Sequence, residues 1–155
     1  MSEIRVRRTV EVQAPAAAVW DYITDWPAQG EWIPMTRVER EDSADRIGGR
    51  FRAWSGIGRV GFWDTLTITA WERGDDGSGR CEVLHTGSVV RGTGEFAVTA
   101  VSSSTSRFVL AEALQAPAAR LGGAAWKVVR PLVERLADRA LSTMRDRVEA
   151  RAHRS

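Results

Sequence analysis

The chain has few of the residues that build disulfide or metal frameworks. Among 155 residues there are two histidines and one cysteine, Cys81. One cysteine cannot form an intramolecular disulfide, and a four-cysteine zinc site is excluded. No set of His, Cys, Asp and Glu has metal-ligand spacing. The sequence therefore predicts no metal and no other cofactor, and it favours a reducing compartment.

Long hydrophobic runs are also missing. No uninterrupted apolar stretch approaches the roughly 18 residues that a membrane-spanning helix needs. Residues 1–8 are mostly polar and basic, and no apolar segment of the kind found in secretory signals follows them. The sequence therefore predicts a cytoplasmic protein without stable membrane insertion.

Lysine is nearly absent, with one lysine against 21 arginines, and the formal net charge is only +2. Residues 118–155 carry nine basic and four acidic side chains, so positive charge collects near the C-terminus. A solvated helix face accounts for this charge, and contact with a partner or an anionic membrane is the alternative. No nucleic-acid motif or aromatic interleaving accompanies it, so no nucleic acid partner is predicted.

Tryptophan is abundant, since seven tryptophans stand against one tyrosine and four phenylalanines. Rings of this size either pack a core or line a pocket. Core packing is the favoured interpretation for any one of them, and a pocket wall built from several is the alternative.

Alternating apolar residues predict strands over much of the chain, whose length fits one domain with a core over about 3–151. The first strand covers 3–13. Ala14-Pro15 then predicts the start of a helix that ends at Trp26-Pro27, and 27–33 is predicted as a second short helix. Further strands are predicted at 35–41, 49–55, 61–72, 80–90, 92–101 and 105–114, with turn residues between them.

Helical spacing follows Pro117. Apolar residues from Leu121 to Val148 recur at i, i+3, i+4 and i+7, with arginine and acidic residues opposite. Gly122-Gly123 and Pro131 predict a kink or break near the start of this helix, whose best-formed part is expected from about 131 to 151.

This order predicts an α+β fold in which a seven-stranded curved antiparallel sheet wraps around a long C-terminal helix. Two short helices between strands 1 and 2 close one end. The long helix must cover one sheet face, and it is too narrow to fill the concavity of a strongly twisted sheet. The gap between them predicts a ligand cavity.

The segment from Val10 to Ile23 (VEVQAPAAAVWDYI), followed by Asp25-Trp26, resembles the opening of the SRPBCC superfamily. This is the START / Bet v 1-like group, here in its polyketide cyclase/dehydrase-like branch. Segments 61–72 (GFWDTLTITAWE) and 85–96 (HTGSVVRGTGEF) are also similar to members of the group. The resemblance implies a helix-grip fold. It supplies no shared catalytic motif, because the group includes carriers, receptors and enzymes alike.

Successive side chains of a strand point to opposite faces of the sheet, and this alternation, here called parity, predicts which side chains face the cavity. On 61–72 one face is mainly aliphatic, including Leu66 and Ala70, while the other carries threonines and Trp71. The aliphatic face is predicted to point inward. With the same reasoning on the other elements, the predicted ligand-binding wall is Trp20, Phe51, Phe62, Leu66, Phe96, Phe108, Leu110, Val133 and Leu136.

Three ionisable residues, Asp64, His85 and Glu112, interrupt these inward-facing apolar rows. Burying an unpaired charge costs several kcal/mol, so they must pair, bind water or meet a polar group of a ligand. A structural polar cluster, or a parity error caused by a β-bulge, is one interpretation. Ligand contact is another, and acid–base catalysis by these three residues is a third.

The motif Gly56-Ile57-Gly58-Arg59-Val60-Gly61 matches GxGxxG, but a dinucleotide site needs a helix after it. An alternating strand pattern follows instead, so a hairpin loop is predicted, at a cavity mouth where it would suit ligand entry. Gly92-Thr93-Gly94 is interpreted as a bend or close approach within a strand. Cys81 is predicted to be a small buried hydrophobe.

Three functions remain open from the sequence. The first is binding of a small hydrophobic molecule, such as a lipid, polyketide or isoprenoid-like compound. The second is a polyketide cyclase or dehydratase, for which Asp64, His85 and Glu112 are the candidate catalytic residues. The third is a non-catalytic interaction module that uses the basic C-terminal helix. Neither enzymatic activity nor oligomeric state follows from the sequence.

Overall fold

The computed structural model describes residues 3–41, 45–115 and 123–154, and it confirms the predicted helix-grip fold. Seven antiparallel strands form one sheet in the order β1-β7-β6-β5-β4-β3-β2. The strands are β1 Ile4–Val12, β2 Thr36–Arg40, β3 Arg50–Ile57, β4 Val60–Arg73, β5 Gly79–Thr86, β6 Arg91–Ala100 and β7 Ser106–Gln115. The helices are α1 Ala16–Ile23, a 3-10 helix Trp26–Glu31, and α2 Gly123–Ala152.

The C-terminal half of α2 covers the sheet. Leu141, Met144 and Val148 are buried there. Arg8 on β1 donates a hydrogen bond from Nε to Asp138 Oδ1 at 2.7 Å, and the Gln13 backbone N–H donates to Glu149 Oε1 at 2.9 Å. These contacts hold this half of the helix along β1.

The N-terminal half of α2 is more exposed, with Val128 at 72% and Leu132 at 55% exposure. A kink or break was predicted at Pro131; the break is wrong, because α2 runs through this residue, and the kink stays a prediction. A proline removes one backbone donor. Lys127 and Pro131 are both exposed, so water can reach the Lys127 carbonyl that loses its partner. The predicted kink residue Gly122, like Leu121, lies outside the described residues.

A register shift in β4 between Ile68 and Ala70 changes which side chains face the core. Because a bulge adds one residue, the alternation reverses beyond it. Trp71 pairs with the fully buried Cys81, and it packs against the core. Ala70 instead pairs with Glu82. The prediction that Ala70 points inward and Trp71 outward is therefore wrong.

Most of the described tryptophans pack the core, where α1 and the 3-10 helix meet the sheet. Trp26 stacks on Phe51 with ring centroids 4.2 Å apart, and Trp20 meets Trp71 edge-on at 5.0 Å. Trp32 packs edge-on against Phe108 at 6.3 Å. Trp63 and Trp54 instead contact arginine side chains. The Arg52 guanidinium lies 4.4 Å from the ring centroid of Trp63, and the Arg37 guanidinium lies 5.9 Å from that of Trp54.

The GxGxxG motif forms the turn of a β-hairpin, as predicted. β3 ends at Ile57 and β4 begins at Val60, so Gly58 and Arg59 make a two-residue turn. Gly58 has φ +62°, which suits glycine. A dinucleotide-binding helix does not follow this motif in the described chain.

Candidate functional site

A cavity of about 690 Å³ lies between the concave face of the sheet and α2. Small-molecule sites typically occupy about 300–1,000 Å³. Its lining includes these residues of the predicted wall and cluster: Phe51, Phe62, Asp64, Leu66, His85, Phe96, Leu110, Glu112, Val133 and Leu136. The remaining lining is mainly aliphatic, so the cavity suits an apolar molecule.

Two predicted wall residues, Trp20 and Phe108, do not line this cavity. The Trp20 ring lies over Gly79, where an added Cβ would be 2.4 Å from the ring. Phe108 is fully buried and stacks on Phe96 at 6.2 Å. Both side chains point into the core, Phe108 as strand parity predicts and Trp20 from α1, but they fill the end that α1 and the 3-10 helix close.

The mouth of the cavity contains residues that the sequence did not assign to the wall. Ile57 and Val60, on either side of the hairpin turn, line the cavity and are 73% and 81% exposed. Met35 also lines it and is 44% exposed. Their signal in the sequence was the presence of large apolar side chains in turn segments, which are usually polar.

The three ionisable residues that parity placed inward form one hydrogen-bonded cluster. His85 Nδ1 lies 2.5 Å from Asp64 Oδ2, and His85 Nε2 lies 3.2 Å from Glu112 Oε2. A carboxylate can only accept hydrogen bonds. Because a carboxylate faces each ring nitrogen, the geometry is satisfied in full when both nitrogens carry a proton and donate. The cluster is then an imidazolium between two carboxylates.

The sheet register explains how three strands contribute to one cluster. Leu66 pairs with His85, so Asp64 is the diagonal neighbour of His85 on the same face. Glu112 lies on β7 and must reach His85 across β6, where it pairs with Gly94. A Cβ at Gly94 would lie 2.9 Å from Glu112 Oε2. The missing side chain at Gly94 therefore leaves the room that this carboxylate occupies.

The cluster changes the protonation of its histidine. Burial alone would lower the pKa of His85, but hydrogen bonds to Asp64 and Glu112, together with their negative charges, raise it from 6.5 to about 9. His85 is thus a cation at neutral pH, in agreement with the hydrogen-bond geometry. This state makes it a proton donor and not a free base.

A buried carboxylate oxygen of the cluster has no partner among the described residues. Asp64 Oδ1 is buried and accepts no hydrogen bond from the residues that the structure describes. It lies beside Gly87, where a Cβ would be 2.7 Å away. Unpaired buried acceptors are uncommon and often occur at functional sites.

Cys81 lies on the same strand as His85 but belongs to the core. It is fully buried, as predicted, and burial raises the pKa of its thiol to about 12. A thiol in this state is a poor nucleophile.

Within 3–41, 45–115 and 123–154, no three His, Cys, Asp or Glu residues form a group that could hold a metal ion. In the same ranges, no helix has the length and apolar character needed to cross a membrane.

Several solved structures share this fold. TTHA0849 from Thermus thermophilus is 18% identical with a TM-score of 0.75, covering 96% of this chain and 99% of that one. The Zhui aromatase/cyclase from Streptomyces sp. R1128 is 20% identical with a TM-score of 0.66, covering 99% and 95%. At these identities the likeness shows the fold alone.

A third structure, the di-domain aromatase/cyclase BexL from the BE-7585A biosynthetic pathway, is 23% identical with a TM-score of 0.68. The match covers 96% of this chain but only 47% of BexL, so the chain spans about half the length of that protein.

The sequence identifies the family more specifically than the fold does. No curated protein matches the chain. Residues 3–149, however, match the family described as polyketide cyclase / dehydrase and lipid transport. This range contains all seven strands and nearly all of α2, and the match confirms the resemblance seen in the N-terminal segment. The chain belongs to the polyketide cyclase/dehydrase and lipid transport family.

Proposed function

We propose that the chain binds a small hydrophobic molecule, of lipid, polyketide or isoprenoid-like character, between the sheet and α2. The observation that carries this proposal is the cavity of about 690 Å³ with a mainly aliphatic and aromatic lining. Burying apolar surface contributes about 25 cal/mol per Å². The exposed apolar residues Ile57 and Val60 at its mouth would further suit entry of such a ligand.

Filling the cavity should abolish this binding. Ala137 on α2 is half-buried and lines the cavity, so Ala137→Trp would place an indole inside it. We expect Ala137→Trp to bind decanol at least about tenfold more weakly than the wild type, by isothermal titration calorimetry. Native mass spectrometry of freshly purified protein should likewise show less bound apolar material in the variant.

The matched control is Ala150→Trp, which adds the same side chain at an exposed position of α2. It should bind decanol as the wild type does. Thermal unfolding of both variants would establish that the fold is retained. Undiminished binding by a folded Ala137→Trp protein would count against the cavity as the binding site.

A second candidate function is acid–base catalysis of the cyclase or dehydratase type, supported by the position of the cluster inside the cavity. Glu112 is its most exposed member, with 21% of the side chain accessible. It would take a proton from the carbon between two carbonyls of a bound polyketone. Because Glu112 is then neutral, the His85 cation would have one carboxylate partner left and would stabilise the negative charge on the enolate. The cavity wall would hold the substrate in the reactive conformation.

Proton exchange tests this candidate without knowledge of the natural substrate. Deuterium exchange into an alkyl β-diketone, followed by NMR, should be accelerated by the wild type and fall about a hundredfold in Glu112→Gln. Equal exchange with both proteins would leave binding as the function that the cavity supports.

Interaction through the basic C-terminal helix has less support. Arg147 and Arg151 both contact Glu31, and Arg130 pairs with Glu134 on the next turn. These ion pairs neutralise part of the positive charge that suggested a partner. Arg135 and Arg139 are exposed and remain the positions at which charge reversal would test this function.

A further inference from the structure

We propose that the cavity selects an apolar molecule whose polar end donates hydrogen bonds and carries no negative charge, with a protonated amine preferred over a hydroxyl. This inference rests on the proposed binding function and names the chemistry of the ligand's head group. It comes from the charges that line the cavity and from carboxylate oxygens of its wall that accept no hydrogen bond from the described residues.

The cavity wall has an excess of negative charge. Its charged residues, within the described part of the chain, are Asp64, His85 and Glu112, and neither lysine nor arginine contributes to it. Two carboxylates and one imidazolium leave a net charge of −1. The positive charge of His85 is already engaged, because both of its ring nitrogens face a carboxylate. An anionic head group would therefore find no free cation in this wall.

Both carboxylates of the cluster also have an oxygen that accepts no hydrogen bond from the described residues. Only Oε2 of Glu112 contacts His85, and its Oε1 accepts no hydrogen bond from any residue that the structure describes. The Asp64 side chain is 9% exposed, and its buried Oδ1 is unpartnered within those same residues. Glu112 is the more accessible of the two. A ligand donor would thus meet Glu112 first.

The apolar side chains around the cluster strengthen the electrostatic interaction between its net negative charge and a ligand. Phe62 and Leu66 lie on either side of Asp64 on the same face of β4, Leu110 lies two residues from Glu112 on β7, and all three line the cavity with apolar surface. Coulomb interactions are stronger in such a medium than in water. An ammonium group would be attracted to the net negative charge, a hydroxyl group would donate one hydrogen bond, and a carboxylate would be repelled.

Three probes with the same decyl chain separate these cases at neutral pH. Decylamine is a cation, decanol is neutral, and decanoate is an anion. By isothermal titration calorimetry, decylamine should bind at least about tenfold more tightly than decanoate, with decanol between them; this ratio corresponds to about 1.4 kcal/mol. Because the chain is constant, the differences report the head group.

Glu112→Gln removes one negative charge and preserves the size of the side chain. We expect it to weaken decylamine binding about tenfold and to narrow the gap between decylamine and decanoate. Asp64→Asn should act in the same direction, which provides a second variant if the first folds poorly. Asp146→Asn is the matched control, because this exposed carboxylate of α2 does not line the cavity; it should leave all three affinities unchanged.

The possible failures are distinguishable. Equal or tighter binding of decanoate would overturn the head-group inference while the proposed binding function stands. A decylamine preference that survives undiminished in both cavity variants would also overturn it, because the charge would then come from elsewhere. Absence of binding by all three probes would overturn the proposed function and this inference together.

Discussion

Replacing His85 by glutamine should remove most of the pH dependence of stability between about pH 6.5 and pH 9. At the acid end of this range the variant should be less stable than the wild type by about 3 kcal/mol. Towards the alkaline end the two proteins should converge. The expected loss arises because the variant keeps both carboxylates of Asp64 and Glu112 but lacks the cation between them.

The direction of this pH dependence of stability follows from the pKa of His85. Burial disfavours the cation, but the two carboxylates overcome this effect, so the folded pKa of about 9 lies above the ordinary value of 6.5. Folding therefore favours the protonated histidine. The resulting stabilisation is fully present below pH 6.5 and is lost as the pH rises through 9. One unit of pKa difference corresponds to about 1.4 kcal/mol, which gives the magnitude above.

Urea unfolding at several pH values would measure the free energy of unfolding of both proteins. The second histidine of the chain provides the control: His153 is exposed, so His153→Gln should follow the wild-type curve. Burial also raises the pKa of Cys81 to about 12, which reduces stability in alkali. This effect is common to all variants and cancels in their difference. Parallel curves for the wild type and His85→Gln would contradict the prediction.

The sequence predicted the members of this cluster but not its geometry. Parity alone placed Asp64, His85 and Glu112 on inner faces, because side chains alternate regularly along β4, β5 and β7 at these three positions. Which of them meet depends on register between strands, and β6 separates His85 from Glu112. The gap at Gly94 that lets Glu112 cross β6 appears in the sequence only as a glycine within a strand, which indicates a bend or a close approach but not which side chain occupies the space.

The errors have a common physical cause, since each lies where a local pattern meets a tertiary constraint. Alternation in β4 held as far as Ile68, beyond which the bulge reversed it and turned Trp71 inward. Pro131 breaks a helix by local rules, but its solvent-exposed position allows α2 to continue. Phe108 points inward as predicted, yet Trp32 and Phe96 enclose it. Parity gives the direction of a side chain and not its depth.

Gly92→Ala should destabilise the protein by at least about 3 kcal/mol. Gly92 has φ +130°, a conformation that residues with a Cβ rarely adopt. A Cβ there would also lie 2.0 Å from the Ala113 carbonyl oxygen and 3.1 Å from Leu114 Cα. These are backbone atoms of the neighbouring strand, so the clash can be relieved only by separating β6 from β7.

The variant Gly48→Ala distinguishes the two contributions to this loss of stability, which are backbone strain and the clash with β7. Gly48 also has a positive φ, of +87°, but an added Cβ would meet no atom within 4 Å. This variant should lose only about 1–2 kcal/mol, from backbone strain alone. Chemical denaturation of the two variants under the same conditions would measure the difference, and equal losses would show that the clash with β7 is not the main cost at Gly92.

Gly92→Ala should also weaken ligand binding, because Gly92 pairs with His85 on one side and with Leu114 on the other. Separating β6 from β7 would move Glu112, on β7, away from His85. Decylamine affinity should therefore fall in a Gly92→Ala protein that is still folded, and remain unchanged in Gly48→Ala. A folded Gly92→Ala protein with wild-type affinity would mean that the cluster tolerates this separation, and that the close approach of β6 and β7 serves the sheet alone.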